Sequence, residues 1–410
     1  MPFLCAHASD KLMHKIIATI YHEIQMRRHI EGTNDFEPII KWPGGKEKEL
    51  QKIIDNCPTN FINFYEPFVG GGSVFMAIQA NNYYINDFST ELVNLYRAIQ
   101  NSDNCFFDFI NGMESTWTNI EDFFDLHNCE LKELYIQYRN DTISKEELYT
   151  KIDTFTTTYQ KAIDALLVGI RLYTSSINQE IMRTLKDKMK RMKRIELEKG
   201  LLPEEDLGNN IETALKGAIY MYFRSIYNNH DIHKSWQLQT ALFFFLRNFA
   251  YSGMFRFGPH GNFNVPYGGI AYNSKHLTHK RNYYCTEEVR EHFQQTQIFN
   301  LDFEDFLRTN PPEENDFVFL DPPYDTEFST YDRNEFGRAD QRRLANYLIN
   351  DCQGKWMLII KRTDFIYNLY AGHPNINMLA FNKEYTVSFM NRNDKNVKHL
   401  LITNYQKPIN

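Results

Sequence analysis

The stretch FLDPPYDTEF, Phe319–Phe328, joins the end of an apolar run to a carboxylate, two prolines and a tyrosine. The residues that lead into it, NDFVFL, are short, continuous and apolar, which is typical of a strand buried on both faces. The tetrapeptide Asp321, Pro322, Pro323 and Tyr324 should therefore lie where this strand leaves the sheet. Asp321 is then expected at the carboxyl end of a strand.

Strand and helix patterns alternate on both sides of the chain's middle. FINFYEPF predicts a strand, GGSVFMAIQA a loop and a helix, NNYYINDF a second strand, and STELVNLYRAIQN a second helix that begins near Ser89. TQIFNLDF, NDFVFLDPPY, GKWMLIIKR and KHLLITNY predict further strands. Alternating β and α elements indicate an α/β fold with a parallel sheet, divided between residues 34–100 and 285–410.

The part between these two halves has a different character. Residues 101 to about 250 are periodic and poor in glycine, which predicts a helical insert that ends near residue 284. Within it, LRNFAYSGMFRFGPHGNFNVPYGG (246–269) predicts a strand, a turn and a strand, a hairpin with Gly-Pro-His-Gly at its tip. Residues 1–33 are expected to form an N-terminal helical extension.

The composition limits the class of protein. With 410 residues, 42% of them hydrophobic, the chain suits about two domains. Its net charge of -7 means that any affinity for nucleic acid must come from a local basic surface. The six cysteines are scattered, so neither a disulfide framework nor a metal site is predicted. No signal peptide or bilayer-spanning stretch is visible, and we expect an intracellular protein without a membrane partner.

A glycine loop indicates a nucleoside-containing cofactor. EPFVGGGSVF places Gly70, Gly71 and Gly72 between a strand and a helix, where the backbone can approach a ligand closely. Asp87 ends the next strand, near the position where an acid binds ribose hydroxyls, about 20 residues on. The sequence has no P-loop, and Phe75 stands where a dinucleotide fingerprint has its third glycine. S-adenosylmethionine, which has no pyrophosphate, fits this description.

A second glycine motif, IIKWPGGKEKEL, precedes the first and allows two interpretations. Lys46 could meet a carboxylate, while Trp42 and the backbone at Gly44 and Gly45 could line a pocket. Alternatively, the motif is a turn that caps the following helix.

The motifs KWPGGK, FVGGGSVF, IND and DPPY, in this order, resemble those of the Dam-type DNA adenine-N6 methyltransferases, the alpha-ordered amino-methyltransferases. The resemblance covers most of the α/β portion. It implies a Rossmann-like S-adenosylmethionine-dependent fold with a largely helical target-recognition insert that carries a β-hairpin, and double-stranded DNA as substrate. Pro43 and Gly71 stand where such relatives commonly have alanine.

The resemblance also implies roles for particular residues. Trp42 and Lys46 would contact the methionine end of the cofactor, Asp87 its ribose, and Asp302 with Phe303 its adenine. The residues expected to bind the cofactor are Trp42, Gly44, Lys46, Glu66, Phe68, Gly70, Gly72, Ser73, Asp87, Asp302, Phe303 and Asp321.

The DPPY residues suit an exocyclic amine. The lone pair of the adenine amino group is delocalised into the ring, so the nitrogen is a poor nucleophile. The Asp321 carboxylate and the Pro322 carbonyl could each accept one N6–H and localise that lone pair, while Tyr324 stacks on the base. Asp321, Pro322, Pro323 and Tyr324 are thus the predicted catalytic residues. The base must be flipped out of the duplex.

Several basic and aromatic residues are candidates for DNA contacts. Arg256 suits a bidentate contact with guanine, and Phe257 or Phe255 could wedge into the base stack. Ser252-Gly253 stands where relatives have Asn-Gly. The expected DNA-binding residues are Arg256, Phe257, Asn264, Arg392 and Lys395. Residues 183–199 carry eight Lys or Arg, which form either a solvated helix face or a surface that follows phosphates.

Other functions stay open from sequence alone. A cytosine-N4 or RNA adenine methyltransferase would share the amine chemistry, and a catalytically silent DNA-binding regulator could share the fold. Measuring cofactor binding would separate the regulator from the enzymes. A cognate restriction endonuclease, as in restriction-modification systems, is a candidate partner.

Overall fold

The computed structural model describes residues 34–169, 176–231, 234–258, 261–324, 336–383 and 397–406. The predicted N-terminal extension, residues 1–33, lies outside these ranges, and so do Arg392 and Lys395. Within the ranges, no helix combines the length and the apolar character needed to cross a membrane.

The described strands form one seven-stranded sheet in the order β3-β2-β1-β4-β5-β7-β6. They are β1 (Asn63–Glu66), β2 (Asn82–Asn86), β3 (Thr296–Phe299), β4 (Phe317–Leu320), β5 (Lys355–Lys361), β6 (Asn377–Lys383) and β7 (Val397–Thr403). Strands β1 to β5 pair in parallel, and β7 runs antiparallel to β5 and β6. The predicted α/β fold with a parallel sheet is confirmed, but β6 was not predicted.

Helices cover both faces of the sheet. They also form the insert between the two parts of the chain that supply its strands. In chain order they are α1 (Leu50–Ile54), α2 (Ser73–Ala77), α3 (Thr90–Gln100), α4 (Asn104–Arg139), α5 (Lys145–Thr158), α6 (Gln160–Ala165), α7 (Ile177–Lys199), α8 (Glu204–Asn228), α9 (Trp236–Phe249), α10 (Thr278–Tyr284), α11 (Glu287–Gln294), α12 (Phe303–Thr309), α13 (Arg338–Asn350) and α14 (Asp364–Tyr370).

The central strand β4 shows why the sheet needs side chains packed against both of its faces. All four of its residues are buried, and successive side chains enter different cores. Phe317 and Phe319 pack on one face, and Val318 and Leu320 pack on the other against α12, α13 and α14. A strand buried on both faces is apolar throughout, which explains the continuous run that precedes Asp321.

The insert helices α4 to α9 share a core with the sheet. Trp117 of α4 and Phe245 of α9 belong to the same buried cluster as Phe64 and Phe317. The strand predicted to begin at Leu246 is wrong, because α9 continues to Phe249. After α9 the chain forms two isolated antiparallel bridges, Ala250 with Tyr267 and Phe257 with Phe263.

The order of the strands brings the two main motifs together. From β1 the chain adds β2 and then β3 on one side, whereas β4 lies on the other side of β1. Ligands of open α/β sheets bind beyond the carboxyl ends of the strands at such a switch point. The glycine loop follows β1 and Asp321 follows β4, so both motifs border this crevice.

The side chain of Asn86, the last residue of β2, forms hydrogen bonds with the loops that follow β1 and β3. Its side chain is buried at the end of β2, and Nδ2 donates to the carbonyls of Pro67 at 3.0 Å and Leu301 at 3.1 Å. Its Oδ1 accepts from the Leu301 N–H at 2.9 Å. This amide therefore fixes the loops after β1 and β3 relative to β2.

We expect Asn86→Ala to lower the free energy of unfolding by about 2–4 kcal/mol, because two carbonyls and one N–H lose a buried partner. Chemical denaturation measures the change. Asn350→Ala is the control, since Asn350 is exposed and its side-chain amide donates to Asn346 on the same helix. Equal stabilities of the two variants would contradict the role of Asn86.

Candidate active site

The glycine loop is packed so tightly that side chains do not fit. Gly70 and Gly72 have φ values of +51° and +78°, which L-residues rarely adopt. A Cβ on Gly71 would lie 2.2 Å from the carbonyl oxygen of Ile40, and one on Gly72 would lie 2.5 Å from the hydroxyl oxygen of Tyr96. An alanine at position 71 would therefore require the Ile40 backbone to move.

Asp87 lies beside this loop at the end of β2. Its Oδ2 accepts from the N–H of Gly70 and its Oδ1 from the N–H of Ser89, each at 2.9 Å. A carboxylate has about four lone-pair sites and is an acceptor of the kind that suits the hydroxyls of a ribose. The two backbone contacts fix the direction in which those sites point.

The second glycine motif supplies a buried cation. Lys46 has only 3% of its side chain exposed, and its Nζ forms a salt bridge with Oδ2 of Asp321. The same Nζ donates to the carbonyl of Gly44 at 2.8 Å. Lys46 thus contacts a carboxylate of the chain itself, that of Asp321, which follows β4. The motif also contains turns, with Gly45 N donating to Trp42 and Glu49 N to Lys46 just before α1.

A second carboxyl group, that of Glu66, lies at the end of β1 and is buried. Burial, and then the negative charge of Asp321, raise its pKa well above the ordinary value, while Lys46 lowers it. Its Oε2 has no hydrogen-bond partner among the described residues. Glu66, Lys46 and Asp321 thus form one charge cluster at the switch point of the sheet, with a polar oxygen left to bind a ligand.

Two residues that the sequence did not indicate position the DPPY segment. Gln341 of α13 is fully buried, and its Nε2 donates to the Pro323 carbonyl at 2.9 Å. His399 of β7 is also buried, with Nε2 3.3 Å from the hydroxyl of Tyr324. The order of residues along α13 or β7 contains no motif that predicts these contacts.

An aromatic group borders the loop after β1. The rings of Phe68, Phe303 and Phe336 lie with centroids 5.5 Å apart in each pair. Asp302 caps α12 and binds Arg343, with Oδ1 2.6 Å from Nη2. The carboxylate of Asp302 is therefore already engaged by a cation. Phe303 is only 4% exposed, with the Arg343 guanidinium 4.9 Å from its ring centroid, whereas Phe68 is half-buried.

The structure gathers the residues predicted to bind a cofactor. One group surrounds the carboxyl ends of β1, β2 and β4 and comprises Trp42, Gly44, Lys46, Glu66, Gly70, Gly72, Ser73, Asp87 and Asp321. The other comprises Phe68, Asp302 and Phe303 around the aromatic group. Oε2 of Glu66 has no hydrogen-bond partner among the described residues, and Asp87 places a carboxylate beside the glycine loop, so the site fits a polar nucleoside ligand.

Residues 246–269, the recognition segment, present two polar side chains to solvent. Arg256 and Asn264 are exposed and bonded to each other, with Nε 3.1 Å from Oδ1. Phe255 is only 6% exposed and packs against Phe243 and Phe263, so the expectation that it wedges into DNA is wrong. Phe257 is half-buried and keeps that role as a prediction.

Helix α7 carries the run of basic residues. Some of its cations form salt bridges with carboxylates: Arg183, Lys186 and Lys193. Others form no ion pair within the described ranges: Lys188, Lys190, Arg191 and Arg194. Burial and the neighbouring Arg191 lower the pKa of Lys188 to about 8. Positive charge is thus concentrated on one stretch of this helix.

The sheet order, the glycine loop and the acid that follows β4 are typical of an α/β protein with a ligand crevice at the switch point of its sheet. The profile of the family described as D12 class N6 adenine-specific DNA methyltransferase matches residues 42–199 and 171–387. These segments cover most of the chain, which therefore belongs to this family. The resemblance drawn from four short motifs is confirmed.

Curated relatives agree with this assignment. The chain is 25% identical over 376 residues to the type II methyltransferase M.CviBI of Paramecium bursaria Chlorella virus NC1A, covering 90% of this chain and 100% of the relative. It is 23% identical to M.MjaIII of Methanocaldococcus jannaschii, with the same coverage. It is 22% identical to the DNA adenine methylase of Haemophilus influenzae, covering 75% of this chain and 73% of that protein.

We expect Glu66→Gln to become more stable than the native protein as pH rises above about 4.5. The unfolded carboxyl ionises there, whereas the folded one retains its proton because its pKa is raised. The native protein therefore loses stability through this window, and the amide does not. Thermal midpoints over a pH series measure the difference.

Glu47→Gln is the control for the loss of one negative charge, because Glu47 is exposed and lies next to Lys46 in the chain. A difference between Glu66→Gln and the native protein that stays constant between about pH 4 and about pH 8 would contradict a raised pKa.

Proposed function

We propose that this enzyme transfers a methyl group from S-adenosylmethionine to N6 of a flipped-out adenine in a short sequence of double-stranded DNA. The observation that carries this proposal is the salt bridge of Asp321 with Lys46 at the switch point of the sheet. It holds a carboxylate next to the glycine loop, where an amine and a nucleoside cofactor would meet.

The cofactor supplies an electrophilic methyl group on a sulfonium centre. Asp87 would accept hydrogen bonds from its ribose hydroxyls, and the rings of Phe68 and Phe303 would contact its adenine. Its amino group would donate to the carbonyl of Gly44 and to Glu66, which would ionise beside that positive charge. Oε2 of Glu66 has no hydrogen-bond partner among the described residues. Trp42, Gly70, Gly72 and Ser73 would shape the wall of the site, and Asp302 would act by holding α12 in place.

The residues of DPPY would prepare the target amine. Asp321 and the carbonyl of Pro322 would each accept one N6–H and direct the nitrogen lone pair towards the methyl group. The salt bridge with Lys46 would hold the Asp321 carboxylate in place as a hydrogen-bond acceptor. Gln341 fixes the adjoining Pro323 carbonyl, and Tyr324 would stack on the flipped base.

DNA binding would use two surfaces. Arg256 and Asn264 would contact base edges, with Phe257 beside them, while the unpaired cations of α7 would contact phosphates. Residues of α8 link these surfaces, because Asn228 donates to the Phe263 carbonyl at 2.9 Å and α8 packs along α7. Arg392 and Lys395 remain predicted phosphate contacts. A cognate restriction endonuclease remains a candidate partner, supported by relatives named type II methyltransferases.

We expect Asp321→Asn to bind S-adenosylmethionine but to lose at least about 100-fold in methyl transfer, since the charged acceptor of N6–H is removed. Expression in a host without DNA methylation, followed by sequencing for N6-methyladenine, gives both the target site and the activity. Asp305→Asn is the control, because it changes an exposed carboxylate on α12. Unchanged methylation by Asp321→Asn, or no N6-methyladenine from the native protein, would overturn the proposal.

We expect Arg256→Ala to relax the preference for one base pair of the mapped site by about 1–3 kcal/mol, because a bidentate base contact is lost. Lys190→Ala, on α7, should weaken binding to all sequences alike and reduce the salt dependence by about one charge. Titrations of site-containing and scrambled duplexes at several salt concentrations separate the two effects. Equal effects of both variants on discrimination would refute the division of roles.

A further inference from the structure

Arg247 connects the insert to the wall of the candidate cofactor site. It lies in α9 with only 2% of its surface exposed, and its guanidinium carbon is 4.6 Å from the ring centroid of Trp42. Its Nη2 also donates to the backbone carbonyl of Lys41. Both contacts fall within the KWPGGK motif, so this insert residue binds the segment that supplies Lys46.

Trp42 transmits this contact to the glycine loop. A Cβ on Gly70 would lie 2.9 Å from Cδ1 of Trp42, which means that the indole packs directly on the loop backbone. Arg247 contacts the indole ring that lies against this loop. A displacement of the glycine loop therefore changes the geometry between the guanidinium and the indole.

The same guanidinium contacts the recognition segment. Its carbon lies 5.0 Å from the ring centroid of Phe255, the buried neighbour of Arg256. Phe255 in turn packs on Phe263 with ring centroids 4.6 Å apart, and on Phe257 at 5.2 Å. A shift of the segment that carries Arg256 therefore reaches Arg247 through one aromatic ring.

We propose that Arg247 is a positioning residue that couples cofactor binding to recognition of the DNA target. Cation–π contacts depend on the position of the ring and strengthen when they are desolvated, as they are here. One cation that contacts Trp42 and Phe255 links the positions of both rings. By linkage, a cofactor that fixes the glycine loop then tightens target binding, and the target tightens cofactor binding by the same factor. The inference rests on the proposed function.

The test measures this factor directly. The affinity of S-adenosylhomocysteine is determined by calorimetry for the protein alone, with a duplex that contains the mapped site, and with a scrambled duplex. For the native protein we expect the site-containing duplex to tighten binding by about 5-fold or more, and the scrambled duplex to do less. In Arg247→Lys, which retains the charge but loses the planar group, the factor should fall towards one.

A second variant protects the test against loss of folding. Phe255→Leu keeps an apolar side chain but removes the ring, and it should reduce the same coupling factor. Arg308→Lys is the control. The guanidinium of Arg308, on α12, also lies over an aromatic ring, that of Tyr347 on α13. This variant should leave the factor at the native value.

Three outcomes would overturn the inference. The first is a coupling factor of one in the native protein, and the second is a native factor in both Arg247→Lys and Phe255→Leu. The third is that Arg247→Lys weakens the binding of S-adenosylhomocysteine equally with and without DNA. In each case, native N6-methyladenine formation would leave the proposed function intact. Failure of that function would instead appear as absent methylation and absent binding of S-adenosylhomocysteine by the native protein.

Discussion

The salt bridge between Lys46 and Asp321 is the contact on which the site depends. The parallel order of β1 and β4 brings Glu66 and Asp321 to the same edge of the sheet, and two carboxyl groups in a buried place repel each other. A lysine from the loop before α1 compensates this charge, while Glu66 retains its proton more readily. The arrangement pairs Asp321 with a cation just after the strand end, and it explains why the KWPGGK motif belongs to the same site.

The chain's own hydrogen bonds hold the loops of this site in place. Asp87 binds the N–H of Gly70, Asn86 binds the loops after β1 and β3, and Gln341 binds the Pro323 carbonyl. A site whose groups are already oriented loses less freedom when a ligand binds. The residues that would touch the cofactor and those that orient them therefore come from both halves of the α/β domain.

Local patterns in the sequence were sufficient for the strands next to the site, because buried strands are apolar and glycine loops are distinctive. They failed where tertiary packing decides. The stretch from Leu246 to Phe249 fits the start of a strand as well as the end of a helix, and α9 continues through it. Strand β6 lies at the sheet edge, where residues 377–382 are exposed or half-buried, so it lacks the long buried apolar run that marks a central strand. Gln341 acts through a contact with a residue from a different element, which no spacing reveals.

The burial of Phe255 in the core common to insert and sheet has a consequence for how such enzymes diversify. A module that shares its interior with the catalytic body cannot be exchanged as a unit without opening that interior. If Arg256 and Asn264 contact base edges as proposed, new specificities would arise by replacing these exposed side chains. The buried Phe255 beneath them would stay unchanged, in natural variants and in engineered ones alike.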